Sequence, residues 1–268
     1  MTTNRWRLST ALTTLEAMSA NLEAMLQAAA HDDERIRQEA ALQLGTFAPD
    51  SAAGDIVSCL LAETDDFVLE TLTWAVVAHA EAAVPHLLAA LQDPDTGKVR
   101  VLHALSKIED PGTVAAVTPF AADERPAVAS RAWWALARIG RPESIPVLLG
   151  HVGIADIAQR QSLGRALAHL GPQTLPGLTE LLAHQDASIR AQAAEFMVRV
   201  LDPSTRSTRS RLRPEPTETE QIEAGTRALI AAPAEEVGEV LTELALDFQH
   251  PDLVETAQQI LDARAARD

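Results

Sequence analysis

Three short phrases set the rhythm of this chain: ALSKIEDP from Ala104, ALARIGRP from Ala135 and ALAHLGP from Ala166 start 31 residues apart. A second phrase keeps the same beat between them, as VPHLLAAL from Val84, VAAVTPF from Val114, IPVLLGHV from Ile145 and LPGLTELLAH from Leu175. Self-similarity at a period near 30 residues is the mark of a repeat array. Each unit in such an array is too small to bury its apolar face alone, so the units must stack.

Between the two phrases lies a polar break and a restart: DDERIRQEAALQLG near Ile36, DTGKVRVLHAL near Val99 and HQDASIRAQAAEF near Ile189. The restart Asp suits a helix N-cap, and the small residues after the aliphatic–Arg pair let a second helix approach its neighbours closely. Each unit therefore reads as helix, turn, helix. Composition agrees, since Ala and Leu abound, Tyr is absent and aromatic residues make up only 3%, whereas strands draw on β-branched and aromatic residues. The expected fold is all-α, a right-handed solenoid of six units near residues 20–50, 51–81, 82–110, 111–141, 142–172 and 173–203.

The tetratricopeptide pattern wants a tyrosine that this chain lacks, and the ankyrin phrase T-P-L-H is absent. The restarts DERIRQEAALQLG, GKVRVLHAL and DASIRAQAA resemble the HEAT family, in particular the short bacterial HEAT-like repeats of proteins related to phycobilin lyases. The resemblance spans about residues 20 to 203; the second unit departs from it, with Leu69 where Arg37 and Arg190 stand elsewhere. It implies a fold more than a function, because relatives include adaptors, chaperone-like lyase subunits, iron-dependent hydroxylases and DNA glycosylases.

After Pro203 the phrase stops, and STRSTRSRLRPEPTETE follows. The expected organisation is a solenoid over 1–203, a flexible linker over 204–220 whose Arg206, Arg209, Arg211 and Arg213 could meet an acidic surface, and an acidic helical cap over 221–268. Three helices are expected in the cap, with Val237, Val240, Leu241, Leu244 and Phe248 at helical spacing. The net charge of −16 is uneven: the balance is −6 up to residue 214 and −10 beyond it. Uniform acidity would disfavour nucleic acid, but the front half leaves room for a basic surface. The opening MTTNRWRLST lacks the apolar run of a secretory signal, no stretch of ~20 apolar residues occurs, and Cys59 is the sole cysteine. A cytoplasmic protein without disulfides or membrane contact is expected.

The adjacent Trp133 and Trp134 cannot point the same way from one helix. Trp133 falls on the line of Ala129, Leu136 and Gly140, beside Val128, Ala132 and Ile139, and is expected in the core. Trp134 falls among Ser130, Arg131, Ala137, Arg138 and Arg141. Matching the repeated phrase aligns Trp134 with Trp74, His103 and Arg165, with Lys107 and His169 one turn later and Arg100 one turn earlier. In HEAT solenoids the second helices line the concave surface, so the resemblance implies a strip of Trp74, Arg100, His103, Lys107, Arg131, Trp134, Arg138, Arg165 and His169 facing a partner. Such a strip favours an anion, with indole supplying a cation–π or stacking surface. A simpler origin for Lys107, Arg138 and His169 is the helix dipole, which stabilises cations in a last turn. Arg37, Arg100 and Arg190 are expected to form a ladder with Asp33, Asp65 and Asp186 of adjacent units.

No His-Glu pair, Gly-rich phosphate loop, nucleophile elbow or paired Cys motif is present, so no metal or cofactor is expected. The eight histidines are scattered, and His151 and His184 sit where capping is expected; Cys59 lies on an apolar face. The reading is a non-enzymatic scaffold or adaptor for an acidic protein segment, with the chain's own tail as one candidate. A HEAT-like DNA glycosylase using Trp74 and Trp134 with Glu70 or Asp110 is the alternative, and a tetrapyrrole lyase subunit a further one.

Overall fold

A computed structural model describes residues 21–94, 97–202, 204, 216–247 and 250–267. Among them every regular element is helical. The chain is an all-α solenoid of stacked helix pairs, falling into two compact units that divide between Ile108 and Glu109.

The first unit holds α1 (21–29), α2 (Glu34–Phe47), α3 (Ala53–Ala62), α4 (Asp66–Ala78), α5 (Ala80–Gln92) and α6 (Lys98–Ile108). These are three of the expected helix pairs. Second helices stack on second helices, α2 on α4 and α4 on α6, while α3 packs on α5 in the other layer. Ala40, Ala41 and Leu44 of α2 meet the core that Leu72, Ala75 and Val76 of α4 and Leu102 and Leu105 of α6 also enter. The restart aspartates cap as their position requires: Asp33 accepts from the Arg35 N–H, and Asp65 from those of Phe67 and Val68. Asp95, at the third restart, lies outside the described residues.

The second unit begins with α7 (Val114–Val117), a single turn between 3-10 segments Pro111–Thr113 and Thr118–Ala122. Pro119 has no N–H for an α-turn, and the chain tightens there instead. Next come α8 (Pro126–Ile139), α9 (Ser144–Leu149), α10 (Ile157–Leu170), α11 (Leu175–Leu181) and α12 (Ala187–Leu201). The expected stripe on α8 is its core face: Val128, Ala129, Ala132, Trp133, Leu136 and Ile139 are all buried. Gly140 ends the helix at φ 72°, a left-handed conformation in which a Cβ is costly.

The phrase stops at Pro203, but the stacking does not. Helices α13 (Pro216–Ala231), α14 (Glu235–Ala245) and α15 (Pro251–Ala265) follow. The first of them starts inside the stretch expected as linker; Arg206, Arg209, Arg211 and Arg213 lie outside the described residues, as does Phe248. α13 packs on α11 and α14 on α12, the places a further pair would take, and α15 packs against α13 and α14. Val237, Leu241 and Leu244 bury as their spacing predicts. Among the described residues, no single helix is long and apolar enough to cross a membrane.

Candidate functional site

A second-layer helix turns one face to the core and the opposite face outward, and the residues of the expected strip occupy outward or flanking positions. In the first unit they fare differently from one another. Trp74 of α4 is 49% exposed. Its ring lies over α2 at Gly45, where an added Cβ would come within 2.4 Å of the indole and 2.9 Å of the Ala75 Cα. Gly45→Ala is therefore expected to cost about 1–3 kcal/mol by overpacking, read as a lower urea midpoint; an unchanged midpoint would show that the helices separate freely. His103 Nε2 lies 3.3 Å from Glu70 Oε2, and Lys107 Nζ donates to Glu70 Oε1 at 3.4 Å. Partial burial pushes the Glu70 carboxyl up, but His103 and Lys107 outweigh it and hold it below the usual carboxylate range.

Arg100 turns inward. Its Nη1 donates to the Leu61 carbonyl at 2.7 Å, tying α6 to the end of α3. Arg37 and Arg190 also serve the stack, through glutamates rather than the expected aspartates. Arg37 donates from Nε and Nη2 to Glu63 at 2.8 and 3.0 Å, and from Nη1 to the carbonyls of His31 and Asp32. Arg190 repeats the geometry, pairing with Glu236 of α14 and donating to the carbonyls of His184 and Gln185. The aspartates are engaged with the N–H groups at the start of their own helices.

In the second unit Trp134, His169, Arg138 and Glu109 form a connected group. Trp133 is 1% exposed, its Nε1 donating to the Ala121 carbonyl at 3.0 Å and its ring 5.3 Å from that of His151. Trp134 is half-buried and points the other way, its ring tilted at 51° to that of His169 with centroids 5.1 Å apart. Burial and the nearby Arg138 charge push the His169 imidazole down, against the opposing pull of Glu109, so it is neutral near pH 7 and suits stacking. Arg138 pairs with Glu109, and Arg165 Nη2 donates to Ser162 Oγ at 3.1 Å. Arg131 lies one turn before Trp134 on α8. Glu70 and Glu109 partly neutralise the strip; Glu70 lies outside the repeated phrase, and Glu109 stands within it where Gly140 and Gly171 stand in the other copies.

Among α10, α12 and α14 opens a groove of about 470 Å³. Glu195 sits in its wall, accepting from Arg199 at 3.0 Å with Arg160 Nε at 3.5 Å. Glu243 and the apolar Val240 and Leu244 line the α14 side.

Several other polar groups have structural work. His31 and His184 each accept, at Nδ1, the N–H of the N-cap aspartate two residues on. Asp110 accepts the Gly112 N–H at 2.8 Å, capping a 3-10 turn. Burial, reinforced by Asp55, pushes the Cys59 thiol up, away from the thiolate a nucleophile requires. Among the described residues no three His, Cys, Asp or Glu side chains gather as a metal site would need.

Residues 84–158 match the family model for HEAT repeats. The fold is similar to that of the karyopherin Kap121p bound to the extreme C-terminus of the protein phosphatase Cdc14p, with a TM-score of 0.52 and 12% identity over 94% of this chain and 34% of the karyopherin. It is also similar to the complex of CpcE and CpcF of phycocyanin lyase from Nostoc sp. PCC7120, at TM-score 0.42 and 18% identity over 91% and 94% of the two chains. An archaeal HEAT-like repeats protein from Thermococcus onnurineus NA1 gives TM-score 0.45 and 13% identity over 81% and 97%. No curated protein matches the chain in sequence.

Proposed function

We propose that the chain is a non-enzymatic scaffold or adaptor whose second unit binds an acidic segment of a protein partner across the outward face of α8 and α10. One observation carries this reading: Trp134 and His169 stack on a face that also carries Arg131, Arg138 and Arg165, with Glu109 answering Arg138. Arginine forks match carboxylates bidentately, and a half-buried indole supplies the desolvated anchor that interfaces concentrate their energy in. Because the groups sit on packed helices, little ordering cost falls on binding. The karyopherin, whose structure holds a protein's C-terminal segment, supports the idea that a stack of this kind can receive one. In the first unit, Glu70 answers both His103 and Lys107, whereas in the second Glu109 answers Arg138.

The test is fluorescence anisotropy with a labelled oligoglutamate peptide and, in parallel, labelled duplex DNA. Peptide binding that weakens with salt, and falls at least about tenfold in Trp134→Ala/Arg138→Ala with helicity unchanged, is the expected result. Tight salt-dependent binding of the duplex with none of the peptide would replace the adaptor reading with the nucleic-acid one.

A further inference from the structure

The second-layer helices of the second unit change the sign of their charge along the stack. α8 carries two arginines and no acidic residue, α10 the same, α12 two arginines and one glutamate, and α14 four glutamates with no basic residue. Among the described residues, Glu236 of those four pairs with an arginine, Arg190, in the joint between α12 and α14, while on the basic helices Arg138 pairs with Glu109 and Arg160 with Glu195. Glu239 and Glu243 are exposed. The groove lies where the sign turns over: Arg160 and Arg199 share Glu195 on one side, Glu243 stands on the other, and Val240 and Leu244 supply apolar wall between.

We propose that the partner segment is bipolar, with acidic residues over α8 and α10, an aliphatic residue in the groove and a basic end over α14. This rests on the peptide-binding reading above and specifies its partner. A uniformly acidic segment would meet like charge at α14, and a uniformly basic one at α8 and α10, so the order of charges selects the partner and fixes its direction. Packed helices lie about 8–10 Å apart, so three steps from α8 to α14 span about 25–30 Å. An extended chain covers that distance with about nine residues.

The experiment compares three labelled nine-residue peptides on the full chain: a block peptide of five glutamates, Ala, Leu and two lysines; a shuffled peptide of identical composition with its two lysines dispersed among the glutamates; and oligoglutamate. The block peptide is expected to bind about tenfold tighter than the shuffled one. Glu239→Lys/Glu243→Lys, both on exposed positions of α14, is expected to weaken the block peptide about tenfold and to strengthen oligoglutamate. Equal affinity for block and shuffled peptides, or an unchanged ratio of block to oligoglutamate in the lysine variant, overturns the bipolar partner. Oligoglutamate binding lost in Trp134→Ala/Arg138→Ala would still uphold the acidic-segment reading in that case. Failure of all three peptides to bind overturns both.

Discussion

Replacing Trp133 by alanine should destabilise the protein by about 3–5 kcal/mol, whereas Trp134→Ala should cost under about 1 kcal/mol, although the two are adjacent and chemically identical. Trp133 is among the largest fully buried side chains, and its loss opens a cavity that α8 and the segment before it cannot collapse to fill. The change also strands the Ala121 carbonyl, which accepts the indole N–H, and strips one face from the His151 ring. Trp134 loses only its outward half-buried contact with His169. Urea unfolding followed by far-ultraviolet circular dichroism measures both. Equal costs for the two variants would mean that the layer assignment of α8 is wrong.

Arg37→Ala should cost about 2–4 kcal/mol at pH 7, because it leaves Glu63, 6% exposed, with a charge in the joint between α2 and α4 and no cation to answer it. Burial pushes the Glu63 carboxyl up, but the Arg37 guanidinium and the N–H groups of Asp65 and Thr64 outweigh burial and bring it down to about 2. A carboxyl whose folded value lies below its unfolded value of 4.5 stabilises the fold above that unfolded value, and loses the contribution as pH falls through the folded one. The window is therefore pH 4.5 down to about 2, and the contribution about 3 kcal/mol. In the variant the acid-sensitive part should shrink, so the stability gap between wild type and Arg37→Ala should narrow from pH 5 to pH 2. A gap that stays constant over that range would show that Glu63 gains nothing from the guanidinium.

The stack was legible because its period is written in residues that the packing demands. Ala104, Ala135 and Ala166 recur where second helices touch, and the N-cap aspartates Asp33 and Asp186 mark helix starts by chemistry that acts over two or three residues. That Trp133 and Trp134 face different ways followed from the 100° step alone. What the sequence hides is long-range pairing. Asp33, Asp65 and Asp186 looked available to the arginines, but each is held by N–H groups of its own helix, so Glu63 and Glu236 take the role from 26 and 46 residues away. The stacking of α13 and α14 was hidden too, since neither repeats the marker phrase and α14 is recognised only by what it packs on. The charge reversal from α8 to α14 needed that placement before it had meaning.

The joint made by Arg37 recurs at Arg190 with different neighbours: one guanidinium holds two carbonyls just ahead of its own helix and one carboxylate at the next. Everything such a joint requires is carried by two adjoining units and nothing by the rest of the chain. A duplicated stretch of gene encoding one unit would thus bring its own means of attachment, and a deleted one would leave matching ends behind. Length, in a chain assembled this way, is open to change by whole units while each interior contact remains what it was.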